Sequence, residues 1–281
     1  MSNAVIQAEW LFEHLHDKNI CVVDATVHLP DTGRDAAEEF LAEHIPGSIF
    51  FDLSVIADPN NPLPRKVPEK SFFEQKVSEL GINNETHIIA YDTLGLYSAA
   101  RVWWLFRLYG YDNVSILDGG LKNWKQLGFP VDTDIRVITP AHFVGGTDRK
   151  LLARKSEVLK QSTENHQILD ARTPGRFAGT EMDRYPGTRP GHIPGSRNLY
   201  WSDLLDKESR RFLPPREIQE KIEKAGITLD QPVTLTCGSG LTACILALGL
   251  HLCGINNWKV YDGSWDEWGR DHKLPVASLK D

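Results

Sequence analysis

Four short motifs occur twice in this chain, in the same order and at nearly the same spacing. Val22-Val23-Asp24-Ala25 returns as Ile168-Leu169-Asp170-Ala171, an offset of 146 residues. His44-Ile45-Pro46-Gly47-Ser48 returns as His192-Ile193-Pro194-Gly195-Ser196, an offset of 148. Ile88-Ile89-Ala90-Tyr91-Asp92 matches Val233-Thr234-Leu235-Thr236-Cys237 at 145, and Leu117-Asp118-Gly119-Gly120 with Trp124 matches Tyr261-Asp262-Gly263-Ser264 with Trp268 at 144. Such a chain is one module used twice, and two copies of about 130 residues each fit usual domain sizes. The repeat predicts a first domain over residues 1–140 and a second over 154–281. Residues 141–153, where Gly145-Gly146 and charged residues interrupt the pattern, are the expected linker.

Within each copy, short apolar runs alternate with helix-like stretches. The strands expected are Ile20–Asp24, His87–Tyr91 and Val114–Leu117 in the first, and Gln167–Asp170, Val233–Thr236 and Lys259–Tyr261 in the second. Helices are expected over Ser71–Leu80 and Ser98–Leu108, and over Pro215–Ala225 and Ala243–Leu252. This alternation predicts an α/β fold in each copy, a mainly parallel sheet with helices on both faces. Sheets of that kind bind ligands beyond the carboxyl ends of their strands.

Cys237 falls at such an end, where a strand turns into a helix, in the run Cys237-Gly238-Ser239-Gly240-Leu241-Thr242. Unpaired N–H groups and the positive end of the helix dipole favour a thiolate there. Gly238 and Gly240 let the backbone curl into a nest of inward N–H groups, and Ser239 and Thr242 add hydroxyl donors. The first copy has Asp92 in the cysteine's place, and a carboxylate cannot act as a sulfur nucleophile. The first copy is therefore expected to be catalytically silent, a scaffold and cleft wall. The two histidines of the repeated Pro-Gly turns occur in both copies, which favours a turn-stabilising role over catalysis.

The remaining composition removes several function classes. A net charge of −7, from 31 basic and 38 acidic residues, argues against a general nucleic-acid binder. No stretch nears the roughly 20 apolar residues of a membrane span. The segment from Met1 to Asp17 has no arginine or lysine and carries Glu9, Glu13 and Asp17, unlike a signal or transit peptide, so a cytoplasmic location is expected. Four cysteines are too few for a disulfide framework, and no cluster has zinc-like spacing, so neither a metal nor another cofactor is expected.

With both His-Ile-Pro-Gly loops, Arg101-Val102-Trp103-Trp104, Asp118-Gly119-Gly120 and Tyr261-Asp262-Gly263-Ser264-Trp265, the chain resembles the tandem rhodanese-type sulfurtransferases over nearly its whole length. The resemblance implies two rhodanese-like domains and a persulfide carried on Cys237. It also implies a donor. In that family, Arg and Lys after the cysteine go with thiosulfate, and Gly-Ser, as in Gly238-Ser239, goes with 3-mercaptopyruvate. The expected reaction takes sulfur from 3-mercaptopyruvate, releases pyruvate and delivers the sulfur to a thiol, to thioredoxin or to cyanide. Arg176 matches the position that binds the substrate carboxylate. A second arginine is usual nine positions later, where this chain has Tyr185, so Arg184 or Arg189 is the expected second clamp. Similar enzymes also place an acid and a histidine where this chain has Ser54 and Arg65. Ser239 is accordingly expected to donate a hydrogen bond to the substrate and not to serve in a relay, while Arg65 keeps thiosulfate in play as a donor.

The alternatives are thiosulfate sulfur transfer on the same fold, a non-catalytic rhodanese-like binding module, and a cysteine-loop phosphatase. The phosphatase pattern, Cys-x5-Arg, requires arginine where this chain has Ala243, and a silent module would lack the cysteine.

Overall fold

A computed structural model describes residues 4–164 and 166–279. It divides into two units. Unit 1 takes Met1–Asn60, Val67–Arg149 and Lys207–Arg211, and unit 2 takes Asn61–Lys66, Lys150–Asp206 and Phe212–Asp281.

Unit 1 runs β1 (Val5–Ile6), α1 (Ala8–His14), β2 (Ile20–Asp24), α2 (Ala36–Ala42), β3 (Ile49–Phe50), α3 (Lys70–Glu79), β4 (His87–Tyr91), α4 (Ala99–Leu108), β5 (Val114–Leu117) and α5 (Gly120–Gln126). Unit 2 runs β6 (Leu152–Ala153), α6 (Lys155–Thr163), β7 (Gln167–Asp170), α7 (Pro174–Ala178), β8 (Arg197–Asn198), α8 (Pro215–Lys224), β9 (Val233–Thr236), α9 (Ala243–Leu252), β10 (Trp258–Tyr261) and α10 (Ser264–Trp268). The strand order is β1-β5-β4-β2-β3 in one sheet and β6-β10-β9-β7-β8 in the other, so the repeat in sequence is a repeat in topology. Among the described residues, these strands pair in parallel throughout.

Parallel strands need cover on both faces, and their residues are buried accordingly. Alternate side chains of a strand point to opposite faces. Ile89 and Tyr91 join Leu11, Leu121 and Trp124 under α1 and α5, while Ile88 and Ala90, also without exposure, face the other way. Unit 2 repeats this plan, with Ile168 and Tyr261 packed against Val158, Trp265 and Trp268 of α6 and α10. The repeated loops fold alike. Ser48 N–H and Ser196 N–H donate to the carbonyls of Ile45 and Ile193, closing Pro-Gly turns whose glycines take φ of 72° and 75°. His44 Nδ1 lies 2.7 Å from Phe40 O and His192 Nδ1 lies 2.8 Å from Phe177 O, and each ring stacks on that phenylalanine. Both histidines pin turns.

Residues 141–149 are not loose chain. Ala141 N–H and Phe143 N–H donate to the carbonyl and hydroxyl of Ser78, and Phe143 is buried among Phe73, Phe106 and Tyr111. Arg149 N–H then donates to Leu108 O, and β6 begins three residues later. Among the described residues, no helix is long and apolar enough to cross a membrane.

Candidate active site

Cys237 follows β9 directly and precedes α9 by one turn of loop, as the sequence predicts. The loop is held from its outside. Trp265 N–H donates to Cys237 O at 3.0 Å, Asp266 N–H to Gly238 O at 2.8 Å, and the Lys66 ammonium to Ser239 O at 3.0 Å. A planar trans peptide sets each carbonyl opposite the next N–H. With three successive carbonyls drawn outward, the amides of Gly238, Ser239 and Gly240 turn to the inner side. Gly240 N–H donates to Cys237 Sγ at 3.1 Å. Gly240 takes φ of 86°, a conformation that suits glycine and completes the curl. Cys237 is 1 % exposed, and Ser239 and Thr242 are buried beside it. Thr242 occupies the N-cap position without a side-chain capping bond.

Unit 1 offers an internal comparison. At the equivalent strand end, the Asp92 carboxylate accepts N–H bonds from Leu94, Tyr97, Ser98 and Ala99 at 2.7–3.0 Å. Three of these converge on Oδ2. The fold at this point therefore gathers amides around a single anion. Aligned by their helix starts, Tyr97, Ser98 and Ala99 correspond to Leu241, Thr242 and Ala243. These unit 2 residues occupy the positions whose amides, in unit 1, converge on the carboxylate.

Ser264 was not singled out by sequence. Its hydroxyl accepts from Cys237 N–H at 3.1 Å, donates to Tyr261 O at 2.8 Å and lies 3.8 Å from Sγ. Its φ is 52°, close to the 56° of its counterpart Gly120. A left-handed serine costs about 1 kcal/mol or more, and here its hydroxyl holds the cysteine's own amide. The one signal in the sequence was the change from Gly120 to Ser264 between otherwise matching motifs. Lys66 was also missed, although its neighbour Arg65 was noted. Its Nζ bridges Ser239 O and Asp262 O (2.7 Å), joining the cysteine loop to the loop after β10. Ser54, the other noted departure, is an exposed turn residue of unit 1 whose N–H donates to Asp52.

The expected arginines separate. Arg176 lies on α7, capped by Thr173, with Nε donating to Thr173 Oγ1 at 3.1 Å and Nη1 3.7 Å from Asp183 Oδ1. Asp183 is shared with Arg172, which is buried over Trp265 and paired to Asp170. Arg189 departs from the expectation of a clamp. Its guanidinium donates to the carbonyls of Gly269, Leu274, Trp268 and Asp271, so its hydrogen-bonding capacity ties down the chain after α10. Arg184 is exposed and directly follows Asp183, whose Oδ1 accepts from Arg184 N–H at 2.7 Å. Between them, Tyr185 reaches the cysteine loop, its hydroxyl donating to Ser239 Oγ at 2.9 Å. Arg176 is thereby linked to the loop through Asp183 and the segment that carries Tyr185.

The other thiols differ in setting. Burial pushes the thiols of Cys21 and Cys253 up to about 11, which keeps them protonated near neutrality. Cys244 is buried with Sγ against Gly240 O. What the loop provides is one sulfur facing backbone donors at a helix start, an arrangement suited to nucleophilic attack and to carrying a charged adduct.

The rhodanese-like domain family matches this chain twice, over residues 7–127 and 155–271. Human 3-mercaptopyruvate sulfurtransferase is 38% identical over 276 residues, covering 95% of this chain and 92% of that protein. Thiosulfate sulfurtransferase of Gallus gallus is also 38% identical, over 291 residues, covering 100% of this chain and 99% of that protein. The crystal structure of SseA from Escherichia coli, described as a 3-mercaptopyruvate sulfotransferase, superposes with a TM-score of 0.85 at 34% identity, covering 94% of this chain and 99% of that one.

Proposed function

The chain belongs to the rhodanese family and is a sulfurtransferase, and from that premise we propose that it takes sulfur from 3-mercaptopyruvate through a persulfide on Cys237. The observation that carries this reading is the Gly240 N–H directed at Cys237 Sγ, in a loop whose residues next to the cysteine are Gly238 and Ser239. A donor whose single carboxylate stands away from its sulfur needs no cation under that sulfur. In the proposed reaction the Cys237 thiolate attacks the donor's thiol sulfur. An S–S bond forms and the C–S bond breaks. Its electron pair passes into the pyruvate enolate, which then takes a proton. Loop amides stabilise the anionic sulfur, as an oxyanion hole does for oxygen. Arg176 holds the carboxylate, since guanidinium pairs with it in a bidentate way, and Arg184 is the remaining second cation. An acceptor thiolate, from a small thiol or a thioredoxin-like protein, then attacks the outer sulfur and frees the Cys237 thiolate. Cyanide serves the same step in an assay. Two half-reactions on one covalent intermediate give ping-pong kinetics. Unit 1, with Asp92 filling its own nest, is proposed to carry no sulfur. The proposed setting is the cytoplasm, where thiols stay reduced.

Thiosulfate is the second reading. The buried Lys66 ammonium favours it, since it brings positive charge to the loop's outer face. Two measurements test the scheme. Treatment with 3-mercaptopyruvate should add about 32 Da, one sulfur, to the Cys237 peptide. Cys237→Ser should release no pyruvate, and pyruvate production by that variant would end the assignment. Faster turnover of thiosulfate than of mercaptopyruvate, with cyanide as acceptor, would reverse the choice of donor.

A further inference from the structure

Tyr185 touches the cysteine loop twice. Its hydroxyl donates to Ser239 Oγ, and its ring stands against Gly238. A Cβ at position 238 would lie 2.5 Å from Cε2, 3.0 Å from the hydroxyl oxygen and 3.1 Å from Cζ of Tyr185. No side chain fits at 238 while Tyr185 holds this place. The hydrogen bond has its own consequence. A serine hydroxyl has one proton to give. With Tyr185 supplying a proton to one lone pair, the Ser239 proton must be directed elsewhere. Ser239 is 2 % exposed, so bulk solvent is not the partner of that proton.

We propose that Tyr185 is the positioning residue that selects the donor: through Ser239 it favours a thiol acid bearing a neighbouring carbonyl, and over Gly238 it closes the space for a basic side chain suited to an inorganic sulfur dianion. This rests on the reading of Cys237 as the sulfur carrier. When the C–S bond of such a donor breaks, negative charge develops on one oxygen, that of the enolate. A directed Ser239 O–H stabilises it in the transition state. The sulfite leaving from thiosulfate spreads its charge over three oxygens and gains less from one aimed donor.

The test compares Tyr185→Phe with the unaltered enzyme. Phenylalanine keeps the ring over Gly238 and removes only the hydroxyl. The expected result is a fall in kcat for 3-mercaptopyruvate of about tenfold, with KM moving less than about twofold, the size of one lost positioning hydrogen bond. The ratio of kcat/KM for mercaptopyruvate to that for thiosulfate should fall about as far. A role in packing alone would be rescued by phenylalanine, and an unchanged ratio would overturn the proposal. The steric half is read from Gly238→Arg made with and without Tyr185→Ala. Thiosulfate turnover should be at least about tenfold faster in the double variant, a difference set by relief of the clash. Equal turnover would overturn that half. If the unaltered enzyme moves no sulfur from mercaptopyruvate, the parent reading falls with this one. If it does and Tyr185→Phe keeps the ratio, only the assignment of Tyr185 falls.

Discussion

Lys66 is a buried cation that donates to two main-chain oxygens, those of Ser239 and Asp262. Lys66→Met would leave both carbonyls short of a donor, at a cost of about 1–3 kcal/mol. Urea unfolding should show that loss, and alkylation of Cys237 by iodoacetamide should slow, because the loop's carbonyls would no longer be held outward. Asp24 is the opposite case, a buried group that weakens its unit. Burial pushes its carboxyl from the usual 3.8 to about 6, against the bonds from Thr26, and the nearby Asp92 adds to the rise. The folded chain then binds this proton more tightly than the unfolded one. Stability contributed by the protonated form is present below about pH 4 and is lost as pH rises to about 6. Asp24→Asn keeps an oxygen for Thr26 and removes the charge. It should raise stability by roughly 1–3 kcal/mol at pH 8 and by almost nothing at pH 4, as read from denaturant midpoints at both values.

At the scale of the element, the strand-to-helix loop is the unit of comparison, because the chain contains it in two states. In unit 1 four amides are already committed to the Asp92 carboxylate. Asp92→Ala would strip that loop of its anion and should cost roughly 3 kcal/mol, given the strength of hydrogen bonds to a charged acceptor. Thermal unfolding checks this. The same comparison shows what the sequence could reveal. Strands such as His87–Tyr91 and Val233–Thr236 were legible because four or five consecutive residues are buried on both faces. The two-residue strands β1, β3, β6 and β8 were not, because so short a run has no period and exists only by pairing to a neighbour. The cysteine loop was legible because glycine, serine and threonine cluster in six consecutive residues. Its supports were not. Lys66 and Tyr185 lie far from it along the chain, and the arginines 184 and 189 drew attention to themselves by charge while the residue between them reached Ser239. Arg189 read as a clamp because guanidinium suits carboxylates, yet main-chain carbonyls accept from it equally well.

At the scale of the whole molecule, the two copies are not closed units of sequence. Unit 2 includes Asn61–Lys66, drawn from the first copy, and unit 1 includes Lys207–Arg211, drawn from the second. Lys66 belongs to the first of these segments, and Arg211, whose Nε lies 3.5 Å from Asp118, to the other. A fragment of residues 150–281 therefore lacks a support of its own cysteine loop. It should form the Cys237 persulfide at less than about a tenth of the full chain's rate, a loss of about 1.4 kcal/mol in the barrier. Mass spectrometry over time after donor addition measures it. Duplication of a gene first yields two copies that could still part company. Once each copy has lent a few residues to the other, deletion of either one harms both, and the lineage has no easy route back to a single-copy ancestor.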